Sequence, residues 1–360
     1  MQFHSLKLIS KKQQTADAFT FTFEVPEELR HNFKFKHGQY ITVKFEINGS
    51  DERRSYSLCS SPFENEWTVA VKKVEGGKVS THMIEQLKEG TIVEIAPPEG
   101  KFTTKIDAEQ SKSYYLFGAG SGITPLMSIL KTILEEEPKS TVFLLYGNRN
   151  EDSIIFKNEL ASLESRYSGQ LIVEYTLSQP RKEKGSWFKK DRINWSGKVG
   201  RIDKTMVEAY LQEYPSRSNQ EAYFICGPTE MIQTVEKTLE AKGIDKKSIH
   251  LEYFTAPATE GGETAQSATS AKATVHLDGS EIEIEIPKGQ NILDALMDEG
   301  YDPPYSCKSG ACSTCIAKVL KGKAEMESCL ALDDDEVQEG YILSCQAHPT
   351  TAEVEITFEV

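Results

Sequence analysis

Three cysteines, Cys307, Cys312 and Cys315, form a Cys-x4-Cys-x2-Cys run, and a fourth, Cys345, follows with 29 residues between. Four thiolates at this spacing suit a two-iron, two-sulfur cluster. The intervening residues are small or polar, among them Ser309, Gly310, Ala311 and Ser313. Such residues let backbone N–H groups turn toward the sulfurs and offset the negative charge of a thiolate-held cluster. Two other uses of four cysteines compete. Structural zinc usually takes two short Cys-x2-Cys pairs, and only one is present. Disulfides suit an exported chain, and Met1-Gln2-Phe3-His4-Ser5 does not open like an export signal. Cys59 and Cys329 fall outside the spacing and read as structural thiols.

Four further stretches carry chemistry-bearing residues. In Arg53-Arg54-Ser55-Tyr56-Ser57-Leu58, Arg54, Tyr56 and Ser57 offer a cation, a ring and a hydroxyl to a phosphate, a flat ring and a ring nitrogen. A tyrosine in a strand is also an ordinary core residue. Val79, Ser80 and Thr81 follow Gly76-Gly77 and begin a helix, whose N–H groups suit a phosphate. A plain glycine turn with Ser80 as helix cap is the alternative. Gly118-Ala119-Gly120-Ser121-Gly122 lies between a strand and a helix, where a dinucleotide pyrophosphate binds. It departs from the usual fingerprint, because its third glycine comes early and Pro125 opens the helix. Cys226-Gly227-Pro228 ends another strand. Cys226 there is either a neighbour of a nicotinamide or a buried small apolar residue.

Three kinds of element must hold these residues. Residues 1 to 108 read as short strands with one helix, Ser80 to Leu87. Ala18 to Val25, Tyr40 to Ile47, Thr68 to Val74 and Ile92 to Ile95 alternate apolar and polar, which suggests a small antiparallel barrel. From 109 to 255 strands alternate with helices, the pattern of a doubly wound parallel α/β sheet. The 17 residues from Ala256 to Lys272 contain no Val, Ile, Leu or aromatic side chain and read as a flexible linker. A last domain, 273 to 360, starts with two alternating strands joined by Asp278-Gly279, a hairpin signal. Asn291 is placed to cap its helix.

Charge is unevenly spread over the 360 residues. Residues 273 to 360 hold 5 Lys and no Arg against 18 acids, a net −13 of the chain's −14. Such a domain repels nucleic acid and suits a basic protein face, although the acids also serve solubility. Gln179 to Arg201 is the basic counterpart, with eight Lys or Arg against Glu183 and Asp191. It reads either as a solvated loop or as a receiver for the acidic domain, a partner or a nucleotide phosphate. No apolar stretch reaches membrane-spanning length. A cytoplasmic location without membrane attachment is therefore expected.

Together these segments resemble the ferredoxin–NADP reductase superfamily, fused here to a C-terminal plant-type ferredoxin domain of β-grasp fold. The resemblance covers nearly the whole chain. It implies FAD, a 2Fe-2S cluster held by the four cysteines, and NADPH, with NADH possible. It gives Arg54 the flavin phosphate, Tyr56 the isoalloxazine face and Ser57 the reactive flavin nitrogen, with Ser55 and Lys72 nearby. Val79, Ser80 and Thr81 match the flavin pyrophosphate loop. Gly118, Gly120, Ser121, Gly122 and Pro125 match the nucleotide loop, with Gly227 and Pro228 across from it. Thr124 and Cys226 match residues beside the nicotinamide, and Glu252 and Phe254 the end of the reductase module. Ser57, Thr124, Cys226 and Glu252 are thus the residues closest to the chemistry. His37 replaces the proline of the family's Pro-Gly-Gln-aromatic turn.

The order flavin, nicotinamide, ferredoxin is similar to reductase components of bacterial oxygenases. Gly147-Asn148-Arg149 is shared with the reductases of phenylacetyl-CoA epoxidase systems. An oxygenase or other protein electron acceptor is the implied partner. Arg149 follows the second strand of the nucleotide domain, where a guanidinium can pair with an adenosine 2′-phosphate, so NADPH is expected over NADH. A self-contained flavin reductase of a small molecule and a non-enzymatic redox sensor are the alternatives.

Overall fold

A computed structural model describes residues 1–183, 192–255 and 270–360. Ala256 to Thr269 of the predicted linker and Lys184 to Asp191 of the basic segment lie outside the described residues.

The first sheet is antiparallel. Its strands are β1 (His4–Gln13), β2 (Ala18–Glu24), β3 (Tyr40–Ile47), β4 (Ser50–Ser57), β5 (Trp67–Lys72) and β6 (Ile92–Glu99), in the order β4-β3-β6-β1-β2-β5. Leu58, just beyond β4, bridges Val69 of β5 and closes the sheet into the expected barrel. Alternation along β2 buries Phe21 and Phe23 in a core with Leu6, Leu8, Ile41 and Val71. Helix α1 (Lys78–Gln86) lies against β3, β4 and β5. It begins two residues before the expected Ser80, with Gly77 rather than Ser80 at its cap position.

The second sheet is parallel. It contains β7 (Ser113–Ala119), β8 (Thr141–Asn148), β9 (Leu171–Leu177), β10 (Lys198–Val199), β11 (Glu221–Cys226) and β12 (Ile249–Glu252), in the order β10-β9-β8-β7-β11-β12. All eight residues of β8 are buried, as expected for a central strand with both faces covered. The covering helices are α2 (Ile123–Glu136), α3 (Lys157–Arg166), α4 (Lys204–Glu213) and α5 (Thr229–Ala241). Strand order reverses between β7 and β11, and ligands of such sheets bind at the carboxyl ends of the strands at that point. Gly118 and Cys226 are paired there, end to end. Pro125 does not open α2 but is its third residue. It still lies in the first turn, where a missing N–H costs no helical hydrogen bond.

The third sheet contains β13 (Ala271–Leu277), β14 (Ser280–Ile286), β15 (Ile316–Lys321), β16 (Tyr341–Leu343) and β17 (Glu353–Thr357), in the order β14-β13-β17-β15-β16. Asp278 and Gly279 both take positive φ, 50° and 74°, as the two central residues of a type I′ hairpin must. Helix α6 (Ile292–Asp298) starts from Asn291, whose side chain accepts the Asp294 N–H at 2.8 Å. β13 begins two residues before Ala273, because Lys272 donates its N–H to Ala352 and Ala271 pairs with Ile286.

The crossing at Gly122 limits side-chain size. A Cβ there would stand 2.1 Å from the Cys226 carbonyl oxygen. Gly122→Ala is expected to force α2 away from the β11 loop at a cost of about 1–3 kcal/mol. Thermal unfolding would show this as a fall of several degrees, about 2–4 °C per kcal/mol. An unchanged melting temperature would refute the close crossing.

Candidate functional site

The four predicted cluster cysteines converge. Cys312 Sγ lies 3.1 Å from Cys307 Sγ, and Cys315 and Cys345 form a second hydrogen-bonded pair. Among the described residues no group of three or more such ligands surrounds a single-ion position. Two thiol pairs match a binuclear cluster, in which each metal takes two protein sulfurs, better than a four-coordinate zinc. The loop supplies its own polarity. Ser309 N–H points at Cys307 Sγ (3.4 Å), and the Gln346 amide approaches Cys345 Sγ (3.7 Å). The hydrogen bond from Cys312 pulls the Cys307 thiol down to about 5, toward the ligating thiolate. Gly310 has φ +74°, and a Cβ there would meet the Ser328 carbonyl oxygen at 2.7 Å, so the loop requires glycine.

The cluster loop is docked on the barrel. Tyr40 directly faces Ser57 across β3 and β4, Thr42 faces Ser55, and Lys44 faces Arg53. Residues opposite one another share a face of the sheet, so Tyr40, Ser55, Ser57 and Arg53 project together. Tyr40 Oη meets Thr314 Oγ1 at 3.0 Å, and Ser55 Oγ donates to Ser306 Oγ at 2.8 Å. Ser55 thus directs its hydroxyl at the cluster domain. Arg54 and Tyr56 alternate to the other face. Arg54 is 45% exposed beside Glu52, and Tyr56 packs along the barrel core.

Other barrel residues suit a phosphorylated ring compound. The α1 N-terminus has no side-chain cap, which leaves its first N–H groups for an anion. Ser80 Oγ accepts the Val74 N–H at 3.1 Å, so only its main chain is open to a ligand. Val79 is buried, and the Thr81 N–H is tied to Gly77. His37 is buried and accepts the Thr104 N–H on Nε2 at 3.0 Å, while burial holds its pKa down at about 4. A neutral imidazole here takes a main-chain hydrogen bond that proline has no side-chain acceptor to make.

A cleft of about 480 Å³ opens at the switch point of the parallel sheet. Lys72, Gly120, Asn148, Arg149, Arg201 and Pro228 are among its walls. The Asn148 side chain is 8% exposed, and among the described residues neither its amide nitrogen nor its oxygen has a hydrogen-bond partner of good geometry. A buried amide without partners suits a polar ligand. Sequence reading used Asn148 only as a mark of likeness, although a polar residue ending an apolar strand is a legible signal. The Arg149 guanidinium is exposed at this cleft and makes no ion pair among the described residues. From the basic segment, Arg201 also reaches the cleft, where it pairs with Glu230 at 3.6 Å, while Arg181 is tied to Asp152 and Lys198 to Glu213 away from it.

Not every expected nucleotide residue reaches that cleft. Thr124 is buried and donates to the Ser121 carbonyl at 3.0 Å. Cys226 is fully buried in the core between sheet and helix, and burial raises its pKa. Gly118, Gly122 and Gly227 are packed closely: a Cβ on Gly122 would meet the Cys226 main chain, and Cβ atoms on Gly118 and Gly227 would meet the side-chain ends of Leu126 and Met231. Phe254 is 38% exposed, beyond the walls of the cleft.

Glu252 joins two parts of the site. Ser57 Oγ donates to Glu252 Oε2 at 3.2 Å. The same residue lines a second cleft, about 510 Å³, between the three domains, together with Tyr40, Phe102, His250, Cys312 and Asp333. Burial raises the Glu252 pKa to about 8.

Three sequence families match the chain in succession: an oxidoreductase FAD-binding domain over residues 5–104, an oxidoreductase NAD-binding domain over 116–237, and a 2Fe-2S iron-sulfur cluster binding domain over 275–350. One component of the 1,2-phenylacetyl-CoA epoxidase of Escherichia coli K12 is 38% identical over 359 residues, 99% of this chain and 98% of that one. The ferredoxin reductase component of the Rhodococcus rhodochrous 3-ketosteroid-9-alpha-monooxygenase is 35% identical over 96% and 94% of the two chains. Among solved structures, phthalate dioxygenase reductase aligns over 99% of this chain and 98% of its own, at 25% identity and a TM-score of 0.59.

The raised Glu252 pKa makes a pH-dependent cost. An unfolded glutamate ionises near 4.3, while the folded one keeps its proton to about 8. Stability is therefore lost as pH rises from about 4.3 to 8 and is level above that. Glu252→Gln removes this loss, on the order of a few kcal/mol. Melting temperatures of the two holoproteins should diverge in favour of the variant across that window. Parallel curves would contradict the buried acid.

Proposed function

Because this chain belongs to the family of oxygenase reductases that join FAD-binding, NAD-binding and 2Fe-2S domains, we propose that it carries electrons from NADPH through FAD and the cluster to an oxygenase. The observation that carries this reading is the docking of the paired-cysteine loop onto the barrel face that holds Ser57. Bound FAD accepts two electrons as a hydride and releases them singly, which links a nicotinamide to a one-electron cluster.

The chain's own residues bind and align. Arg54, Tyr56 and the α1 N-terminus hold the flavin phosphates and ring, with Lys72 at the rim shared with the nucleotide cleft. Gly120 of the β7 loop, with open space where a Cβ would stand, lets the dinucleotide backbone approach. Thr124 and Cys226 shape the floor beneath the nicotinamide from within the core. Ser57 and Glu252 keep a hydrogen-bonded proton next to the reactive edge, and hydride transfer itself needs no acid or base. The division that follows is a flavin domain over 1–108, a nucleotide domain over 109–255 and a cluster domain from Ala271 onward.

Two finer assignments belong to the same proposal. The unpaired Arg149 guanidinium at the cleft favours NADPH over NADH. Identity across the whole chain to the Escherichia coli component favours an oxygenase of the phenylacetyl-CoA epoxidase kind, and so a place in phenylacetate catabolism. Among the described residues no helix is long and apolar enough to cross a membrane, and a thiolate-held cluster fits the reducing cytoplasm.

Cys312→Ser is expected to abolish NADPH-driven cytochrome c reduction, while ferricyanide reduction, which the flavin serves directly, stays within about twofold of wild type. Retained cytochrome c activity would remove the cluster from the route. Arg149→Ala is expected to raise KM for NADPH about tenfold, the loss of one charged hydrogen bond, and to leave KM for NADH nearly unchanged. Equal effects on both nucleotides, or better use of NADH by wild type, would end the 2′-phosphate assignment.

A further inference from the structure

Arg53 is a charged residue that is only 2% exposed. Its guanidinium bonds Asp51 of its own strand at 3.1 and 3.0 Å and Asp302 of the cluster domain at 2.6 Å. It also lies 4.3 Å from the ring centroid of Tyr305. Asp302 and Tyr305 stand just before Ser306 and the first cluster ligand, Cys307. On the barrel side, Arg53 is one residue from Arg54 and shares its face with Ser55 and Ser57.

A buried guanidinium is retained at high cost unless its charge is met; here Nε and Nη2 meet carboxylates from both domains, while Nη1 finds no hydrogen-bond partner among the described residues. The Tyr40–Thr314 and Ser55–Ser306 bonds extend the same seam. Those are hydroxyl contacts, whereas Arg53–Asp302 sets a buried charge into it. Lys101 and Glu336 also pair between barrel and cluster domain, but that lysine is exposed. A planar fork that is both paired and stacked fixes orientation as well as distance.

We infer that Arg53, through Asp302 and Tyr305, is a positioning residue for electron transfer within the chain: it latches the cluster loop against the flavin-binding strand. This rests on the flavin-to-cluster route proposed above. One electron passes per event, reducing the oxidised cluster by one and leaving the flavin one electron poorer. The second electron follows when the cluster has been emptied by the acceptor. The latch sets the fraction of molecules aligned for that event and takes no part in hydride transfer.

Asp302 is 62% exposed, so its replacement spares the fold. In the full-length holoprotein, Asp302→Arg places a second cation against Arg53, and Asp302→Glu keeps the pair. After anaerobic mixing with NADPH, flavin bleaching is expected to match wild type in both. Cluster reduction, followed by rapid-freeze electron paramagnetic resonance, is expected to slow at least about tenfold in Asp302→Arg as the docked fraction falls. Asp302→Glu is expected to restore most of the rate. Small-angle scattering should show a larger radius of gyration for Asp302→Arg alone.

Wild-type rates and dimensions in Asp302→Arg would overturn the latch. Loss of iron from that variant would overturn it too, assigning the pair to the integrity of the loop. A wild-type protein whose cluster is not reduced by NADPH would instead sink the route itself.

Discussion

A β-strand sends successive side chains to opposite faces, and β4 turns that constraint into the layout of the electron path. Arg54 and Tyr56 leave one face, Arg54 beside Glu52 and Tyr56 along the barrel core. Arg53, Ser55 and Ser57 leave the other and meet, in order, Asp302, Ser306 and Glu252. One residue of slippage would exchange the two sets. The register of β4 against β3, held over eight paired positions, is therefore what keeps Arg54 and Tyr56 on one side of the strand and the cluster loop on the other.

The two other domains answer to that strand. The parallel sheet offers its switch point, and α2 crosses the β11 loop so closely that Gly122 has no room for a Cβ. β12 ends at Glu252, which brings a buried carboxyl to Ser57. The cluster domain presents its two thiol pairs with Ser306, Ser313 and Thr314 around them. Neutral hydroxyls line this seam, and burial raises the Tyr40 pKa well above its ordinary value, so it adds no second buried charge beside Arg53.

Much of this was legible in the residues. Cysteine spacing is a local record of ligand geometry, so the cluster loop was readable before any fold. Asp278-Gly279 and Asn291 were readable because turn and cap chemistry is local as well. The alternation of strands and helices gave the class of the second domain. Its strand order was not in the periodicity, since order depends on which strands pair across more than a hundred residues. Boundaries shifted where a distant partner decides them: Ala271 joins β13 because Ile286 pairs with it. Arg53 was the instructive omission. It and Arg54 are the same residue type at adjacent positions, and only strand phase and an aspartate 249 residues away separate a buried interdomain ion pair from an exposed guanidinium. Thr124 was legible as a motif member but not as a buried group, because burial is a property of the packed helix that carries it, whereas a buried Cys226 was one of the two readings its residue type offered.

The seam also has a cost for traffic out of the molecule. Ser306, Ser313 and Thr314 are the hydroxyls around the cluster that the barrel already engages. An acceptor that grips the loop through the same hydroxyls competes with Tyr40 and Ser55 for them. Loading and unloading then draw on one surface, and every gain in inner grip is a delay in release. Under such competition the exchange would turn like a turnstile, best set at an intermediate tightness rather than at the strongest attachment the two domains could make.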